Sequence, residues 1–93
     1  MKVRWSRQSR QQLIAIRAFI RQQNINAAER VRLRIVETVR LLSALPRLGR
    51  AGRKQRTREF VVPRLPYIVV YRIDIADEDE LVILGIFHAS RDL

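Results

Sequence analysis

The sequence predicts an α+β fold of order β-α-α-β-β-β, an antiparallel sheet with an N-terminal helical hairpin packed on one face. Two observations lead there. Apolar residues recur at three- and four-residue steps through the first half, the spacing that lines one face of a helix. The second half changes to β-branched and aromatic runs, TREFVV, PYIVVYRI and LVILGIF, parted by short turns. Such runs in close succession pair as antiparallel neighbours, and the helices must cover one face of the sheet they form.

Each element has its own justification. Lys2 to Trp5 reads as a short strand. Ser6 is placed as an N-cap, its hydroxyl accepting from a free N–H of the first turn. Leu13, Ile16 and Ile20 then keep helical spacing, broadened by Ile14 and Phe19, until Gln22, Gln23 and Asn24 end the pattern. Asn26 is expected to start the second helix, with Glu29 three residues on as in a capping box. Ala28, Val31, Ile35, Val39, Leu42 and Leu45 form its stripe, and Pro46 stops it, because proline disfavours helical geometry in the residue before it. The short link between the helices implies an antiparallel hairpin.

A loop is expected over 46–56, where Gly49 and Gly52 allow sharp turning or close approach. Strands follow at 58–62, 67–73 and 81–87. Pro63 and Pro66 bracket the first turn, and ADEDE at 76–80 forms the second. His88 to Leu93 is a tail. By alternation Tyr67, Val69, Tyr71 and Ile73 share one face and Ile68, Val70 and Arg72 the other. The expectation places Ile68 and Val70 against the helices.

Composition narrows the function. Ninety-three residues, 47% of them hydrophobic and 30% charged, suit one folded domain over 1–93. There is no cysteine, which excludes thiol catalysis and disulfides. No apolar run is long enough for a membrane helix, and MKVRWSRQS lacks the apolar core of a signal peptide, so a cytoplasmic protein is expected. The net charge of +10 favours an anionic partner. That charge is uneven: Arg47, Arg50, Arg53, Lys54, Arg56 and Arg58 crowd 46–58 without an acid, and the acids gather after Glu59.

Three candidate sites emerge. The single histidine, His88, has the chemistry of a general base near neutral pH, and Arg58, Arg64, Arg72 and Arg91 are the cations that would hold a scissile phosphate around it. The other reading of His88 is a backbone-bonded side chain at a strand end. The cationic loop is either a solvated connector or an arm that carries Arg50, Arg53, Lys54, Arg56 and Arg58 to an acidic surface or to phosphates. The helical stripe of Leu13, Ile16, Ile20, Val31 and Ile35, rimmed by Arg17 and Arg34, offers an apolar surface to a partner. Trp5, Tyr67, Tyr71 and Phe87 either stack on bases or pack against the helices. One histidine and a solvent-suited acidic turn do not make a metal site, and no phosphate-binding glycine motif points to a cofactor.

Taken in order, Trp5-Ser6, NAAERV at 26–31, Leu45-Pro46, Gly49-Arg50, TREFVV, PYIVVYRI and ILGIFHASRDL resemble the ParE branch of the RelE/ParE toxin superfamily of bacterial toxin–antitoxin modules. The resemblance spans nearly the whole chain. It implies an antiparallel sheet with a helical hairpin and a hetero-oligomer with a ParD-like antitoxin, which would cover Leu13, Ile16, Arg17, Ile20, Val31, Arg34 and Ile35. It implies DNA gyrase as the target, met by Arg50, Arg53, Lys54, Arg56, Arg58, His88 and Arg91. The RelE branch implies the alternative, a metal-independent endoribonuclease that cuts mRNA on the ribosome with His88, Arg58, Arg64 and Arg91. The tail ASRDL lacks the C-terminal aromatic that RelE-like nucleases stack on the substrate base, which favours the ParE branch.

Overall fold

A computed structural model describes residues 1–74, 76 and 79–92. The order is β1 (Lys2–Trp5), α1 (Arg7–Arg21), α2 (Ile25–Ala44), β2 (Arg50–Ala51), β3 (Arg58–Val61), β4 (Tyr67–Ile73) and β5 (Glu80–His88). Among the described residues the strands form one sheet in the order β1-β5-β4-β3-β2. The α+β order therefore holds, with two refinements. The expected loop contains β2, a two-residue edge strand antiparallel to β3. The sheet is mixed: β2 to β5 pair antiparallel, but β1 runs parallel to β5, from Lys2 opposite Glu80 to Trp5 opposite Ile83. Tight turns dictate antiparallel pairing only between strands adjacent in sequence. β1 meets β5 after the whole hairpin has intervened, and so long a connection permits the parallel arrangement.

Ser6 caps α1 as expected, its Oγ accepting from the Ser9 N–H at 3.0 Å. The same hydroxyl lies 3.1 Å from the Leu84 carbonyl and ties the helix start to β5. Beyond Ile83 the strand β1 has ended, and the Gln12 side chain takes over that edge, accepting from the Ile86 N–H at 2.8 Å.

The second helix starts earlier than the sequence suggested. Asn24, not Asn26, is the N-cap: its backbone is extended (φ −158°, ψ 110°) and its Oδ1 accepts from the Ala27 N–H at 2.9 Å. Asn26 already lies in the first turn, so Glu29 is not a capping-box partner. Glu29 bonds Arg32 one turn on and faces Arg17 across the hairpin at 3.6 Å. The Arg32 hydrogen bond holds the Glu29 carboxyl below its ordinary range.

Ala28, Ile35, Val39 and Leu42 of α2 are buried. The last three join Tyr67, Val69, Tyr71, Leu81, Ile83 and Ile86 in one core cluster. The sheet face against the helices is therefore the one bearing Tyr67, Val69 and Tyr71, opposite to expectation. Both faces of β4 carry apolar side chains, so alternation alone does not choose between them. Ile68 is buried between Val61 and Phe87 of the flanking strands, Val70 is half-buried, and Arg72 shares that outer face. Leu84 is the extra residue of a bulge in β5, since Tyr71 faces Ile83 while Val70 faces Gly85. Part of the expected ADEDE turn, Asp77 and Glu78, lies outside the described residues; Asp79 precedes β5 and Glu80 opens it.

Candidate functional site: a braced cationic loop

Where α2 ends, Pro46 turns the chain toward the sheet, and the loop that follows is fastened on two sides. On the helix side the fastener is Tyr71. Its hydroxyl donates to the Pro46 carbonyl at 2.7 Å and accepts from the Gly49 N–H at 2.9 Å. A side chain at position 49 would place its Cβ 2.5 Å from that hydroxyl, so only glycine admits the contact. Arg58 reinforces it, Nη1 donating to the carbonyls of Gly49 at 2.7 Å and Arg47 at 3.3 Å. Burial raises the Tyr71 pKa, while the Gly49 N–H and the Arg58 charge pull the other way.

On the outer side the fastener is Glu59, which is buried. Its Oε2 accepts from the Arg53 N–H at 2.9 Å, and Oε1 lies 3.5 Å from Arg50 Nη2. Within the loop tip Gly52 N–H donates to the Thr57 carbonyl and Thr57 Oγ1 to the Lys54 carbonyl. Arg56 sits in the left-handed region at φ 64°. The loop is thus a braced platform rather than a free arm. Arg50, Arg53, Lys54 and Arg56 project from it into solvent, while Arg58 is half-buried in the bracing.

A groove of about 430 Å³ opens on the outer sheet face beside this platform. Arg53, Lys54 and Glu59 edge it on one side, Ser6 and Gln8 on the other, and Val70, Leu84 and Phe87 supply its apolar lining. Neither Glu59 as an anchor nor this groove was identified from the sequence. A lone acid directly after five loop cations was the available signal for Glu59.

His88 lies elsewhere. It ends β5 opposite Tyr67, their rings 5.5 Å apart edge to face. Its N–H donates to Asp92 Oδ2 at 2.6 Å, and Nδ1 is approached by the Ser90 N–H at 3.2 Å and Ser90 Oγ at 3.1 Å. The tail is also pinned by Ala89 N–H to the Pro66 carbonyl and by the Arg91 guanidinium 5.6 Å from the Phe19 ring centre. Arg64, exposed in the left-handed region at φ 65°, belongs to the turn at this end.

Arg58 faces Tyr71, four residues along β4 from the position opposite His88. At about 3.3 Å per residue this puts roughly 13 Å between the two along the strand. The structure does not bring His88 and Arg58 together; Arg64 shares the His88 end, and Arg91 turns to Phe19.

On the hairpin, Ile35 is fully buried, and Leu13, Ile16 and Val31 pack partly against the core, so this face serves the sheet first. The apolar side chains that α1 and α2 leave to solvent are others, including Ile14 at 67%, Leu33 at 44% and Leu41 at 41% exposure. The aromatics follow the packing alternative: Tyr67 and Tyr71 are buried, and Trp5 lies against the core.

The fold and the braced basic loop describe a small α+β module of toxin type, and comparison with known proteins places it. A family model described as the ParE toxin of type II toxin–antitoxin system, parDE, matches residues 3–93. The protein named "Putative toxin Y4kP" from Sinorhizobium fredii is 38% identical over 90 residues, 97% of this chain and 90% of that protein. Among solved structures, the chromosomal ParDE toxin–antitoxin system from P. aeruginosa superposes with a TM-score of 0.82 at 25% identity, covering 97% of both chains. The RelBE2 toxin–antitoxin complex from Mycobacterium tuberculosis gives 0.67 at 26% identity, covering 94% of this chain and 95% of that one. The chain belongs to the ParE toxin family of type II toxin–antitoxin systems.

Proposed function

We propose that this toxin acts in the cytoplasm by binding DNA gyrase and is neutralised by a ParD-like antitoxin. The observation that carries the reading is the division of its cationic groups. A nuclease needs its base and its phosphate-holding groups around one scissile bond. Here Arg58 braces a loop at one end of β4 and His88 closes the other, its Nδ1 approached by Ser90. A protein that works by occupation needs a stiff display of contacts, and Arg50, Arg53, Lys54 and Arg56 on the braced loop form one. The likeness to the RelBE2 complex keeps a second reading in view, a ribosome-dependent mRNA endoribonuclease built on His88 with Arg64 and Arg91.

For the antitoxin, the exposed Ile14, Leu33 and Leu41 supply apolar contacts, and Arg17 and Arg34 supply charge at the rim. The test runs gyrase supercoiling and ribosome-programmed mRNA cleavage side by side with the purified toxin. Supercoiling is expected to stop, equally with the His88→Ala variant, while the mRNA stays intact. Cleavage of mRNA that His88→Ala abolishes, with supercoiling untouched, overturns the proposal in favour of the nuclease.

A further inference from the structure

Two grooves meet where β3 leaves the cationic loop, on the far side of the platform from Glu59. One, of about 350 Å³, is lined by Arg47, Ala51, Arg56, Thr57, Arg58 and Ile73. The other, of about 580 Å³, is lined by Arg56, Arg72, Ile73, Asp74 and Ala76. Arg56 and Ile73 belong to both, so the two form adjoining parts of one depression.

Four guanidinium groups converge on it, and compensation is slight. Arg72 faces Asp74 at 3.8 Å. Among the described residues Arg47, Arg56 and Arg58 form no ion pair. Arg58 is positioned in advance, because Nη1 is committed to the Gly49 and Arg47 carbonyls. Gathering like charges costs free energy that a bound anion would return. The planar fork of arginine suits phosphate oxygens, two N–H groups to two oxygens. The apolar part of the lining is small, Ala51 and Ile73, and no aromatic ring lines either groove for a base to stack on. The ligand is therefore recognised by its anionic group. The volumes fall within the range of roughly 300–1,000 Å³ usual for small-molecule sites.

We propose that this depression is a phosphate-binding site, with Arg58 as its fixed pole and Arg47, Arg56 and Arg72 closing on the phosphoryl oxygens. The phosphoryl group belongs either to a free nucleotide or to a nucleic-acid backbone. The site stands on its geometry and does not depend on gyrase being the target.

The test titrates the full chain, at fixed ionic strength, with inorganic pyrophosphate, ATP and a short duplex DNA in turn. Saturable binding is expected. The pair Arg47→Gln and Arg56→Asn, which alters exposed side chains and keeps a residue tolerant of the left-handed backbone at 56, should weaken it at least about tenfold. Arg72→Gln provides a second variant with the same expectation in direction. The pair Arg30→Gln and Arg40→Gln removes the same charge from α2 and should leave binding unchanged. Tight pyrophosphate and ATP binding without a gain for DNA supports the free nucleotide; tighter DNA binding that pyrophosphate displaces supports the backbone. The proposal is overturned if no probe saturates, if both double variants weaken binding equally, or if polyglutamate competes as well as pyrophosphate.

Discussion

Tyr71 links two segments that the sequence keeps far apart. Its hydroxyl serves the Pro46 carbonyl and the Gly49 N–H at once. Tyr71→Phe leaves both groups without that partner in a buried place, which should lower stability by about 1–3 kcal/mol, read as a fall in melting temperature. The pH dependence follows from the raised pKa of Tyr71, caused first by burial. Below the ordinary tyrosine value of 10.0 the hydroxyl is protonated in the folded and the unfolded chain alike. Above it the unfolded chain releases the proton first, so stability falls as pH rises from there through the folded value. Melting curves taken across that range should fall more steeply for the natural chain than for Tyr71→Phe; parallel curves would remove the linkage. Sequence reading placed Tyr71 correctly on a strand. It missed the partners because a hydroxyl's hydrogen bonds to distant backbone leave no periodic trace. Glu59 escaped for the same reason: a carboxylate that accepts a backbone N–H has the same letter as one in solvent.

At the scale of elements, the hairpin and the loop separate stability from contact. Ile35 fills the core while Leu33 and Leu41 look outward on the same helix. Ile35→Ala should cost about 2–5 kcal/mol, and Leu33→Ser with Leu41→Ser far less. Antitoxin affinity should respond in the opposite order, measured by titration of the purified partner into each folded variant. The loop gives a matching prediction. Serine at 50, 53 and 54 with asparagine at 56 retains the Arg53 N–H that Glu59 holds. The melting temperature should then move little, since exposed charges contribute little. Toxicity and the salt dependence of target binding should both drop; a fully toxic variant would leave the loop a mere connector.

The elements themselves were largely legible, because their spacing comes from burial on one side. Three details were not. Asn24 and Asn26 are both plausible caps by residue type, and the backbone angle that decides between them is not written in the letters. Two residues, Arg50 and Ala51, are too few to show alternation, so β2 was hidden in a charged loop. The direction of β1 depends on which distant strand it meets.

At the scale of the molecule, +10 charge means that every association should weaken with salt, and only the residue-specific part distinguishes a site from the general field. His88→Ala separates the two mechanisms in cells. Toxicity and intact mRNA in that variant fit occupation of the target. A loss of cleavage of about 10²–10⁴-fold would mark a general base instead. The candidate nuclease set looked coherent in sequence because Arg58, Arg64, His88 and Arg91 all come from the strand-rich half. Only the register shows Arg58 and His88 at opposite ends of β4.

The parallel seam between β1 and β5 also has a timetable. Residue 2 pairs with residue 80, and the Ser6 hydroxyl that caps α1 also reaches Leu84. During synthesis the hairpin emerges early, yet its sheet stays open at that seam until β5 has left the ribosome. A nascent toxin therefore passes through a stage with helices formed and their apolar face uncovered, and a partner made nearby has that interval in which to meet it. Ribosomes stalled before residue 80 should carry chains that protease digests readily. Stalling with β5 fully extruded should give a protected core, and an antitoxin present throughout should extend protection to the shorter chains.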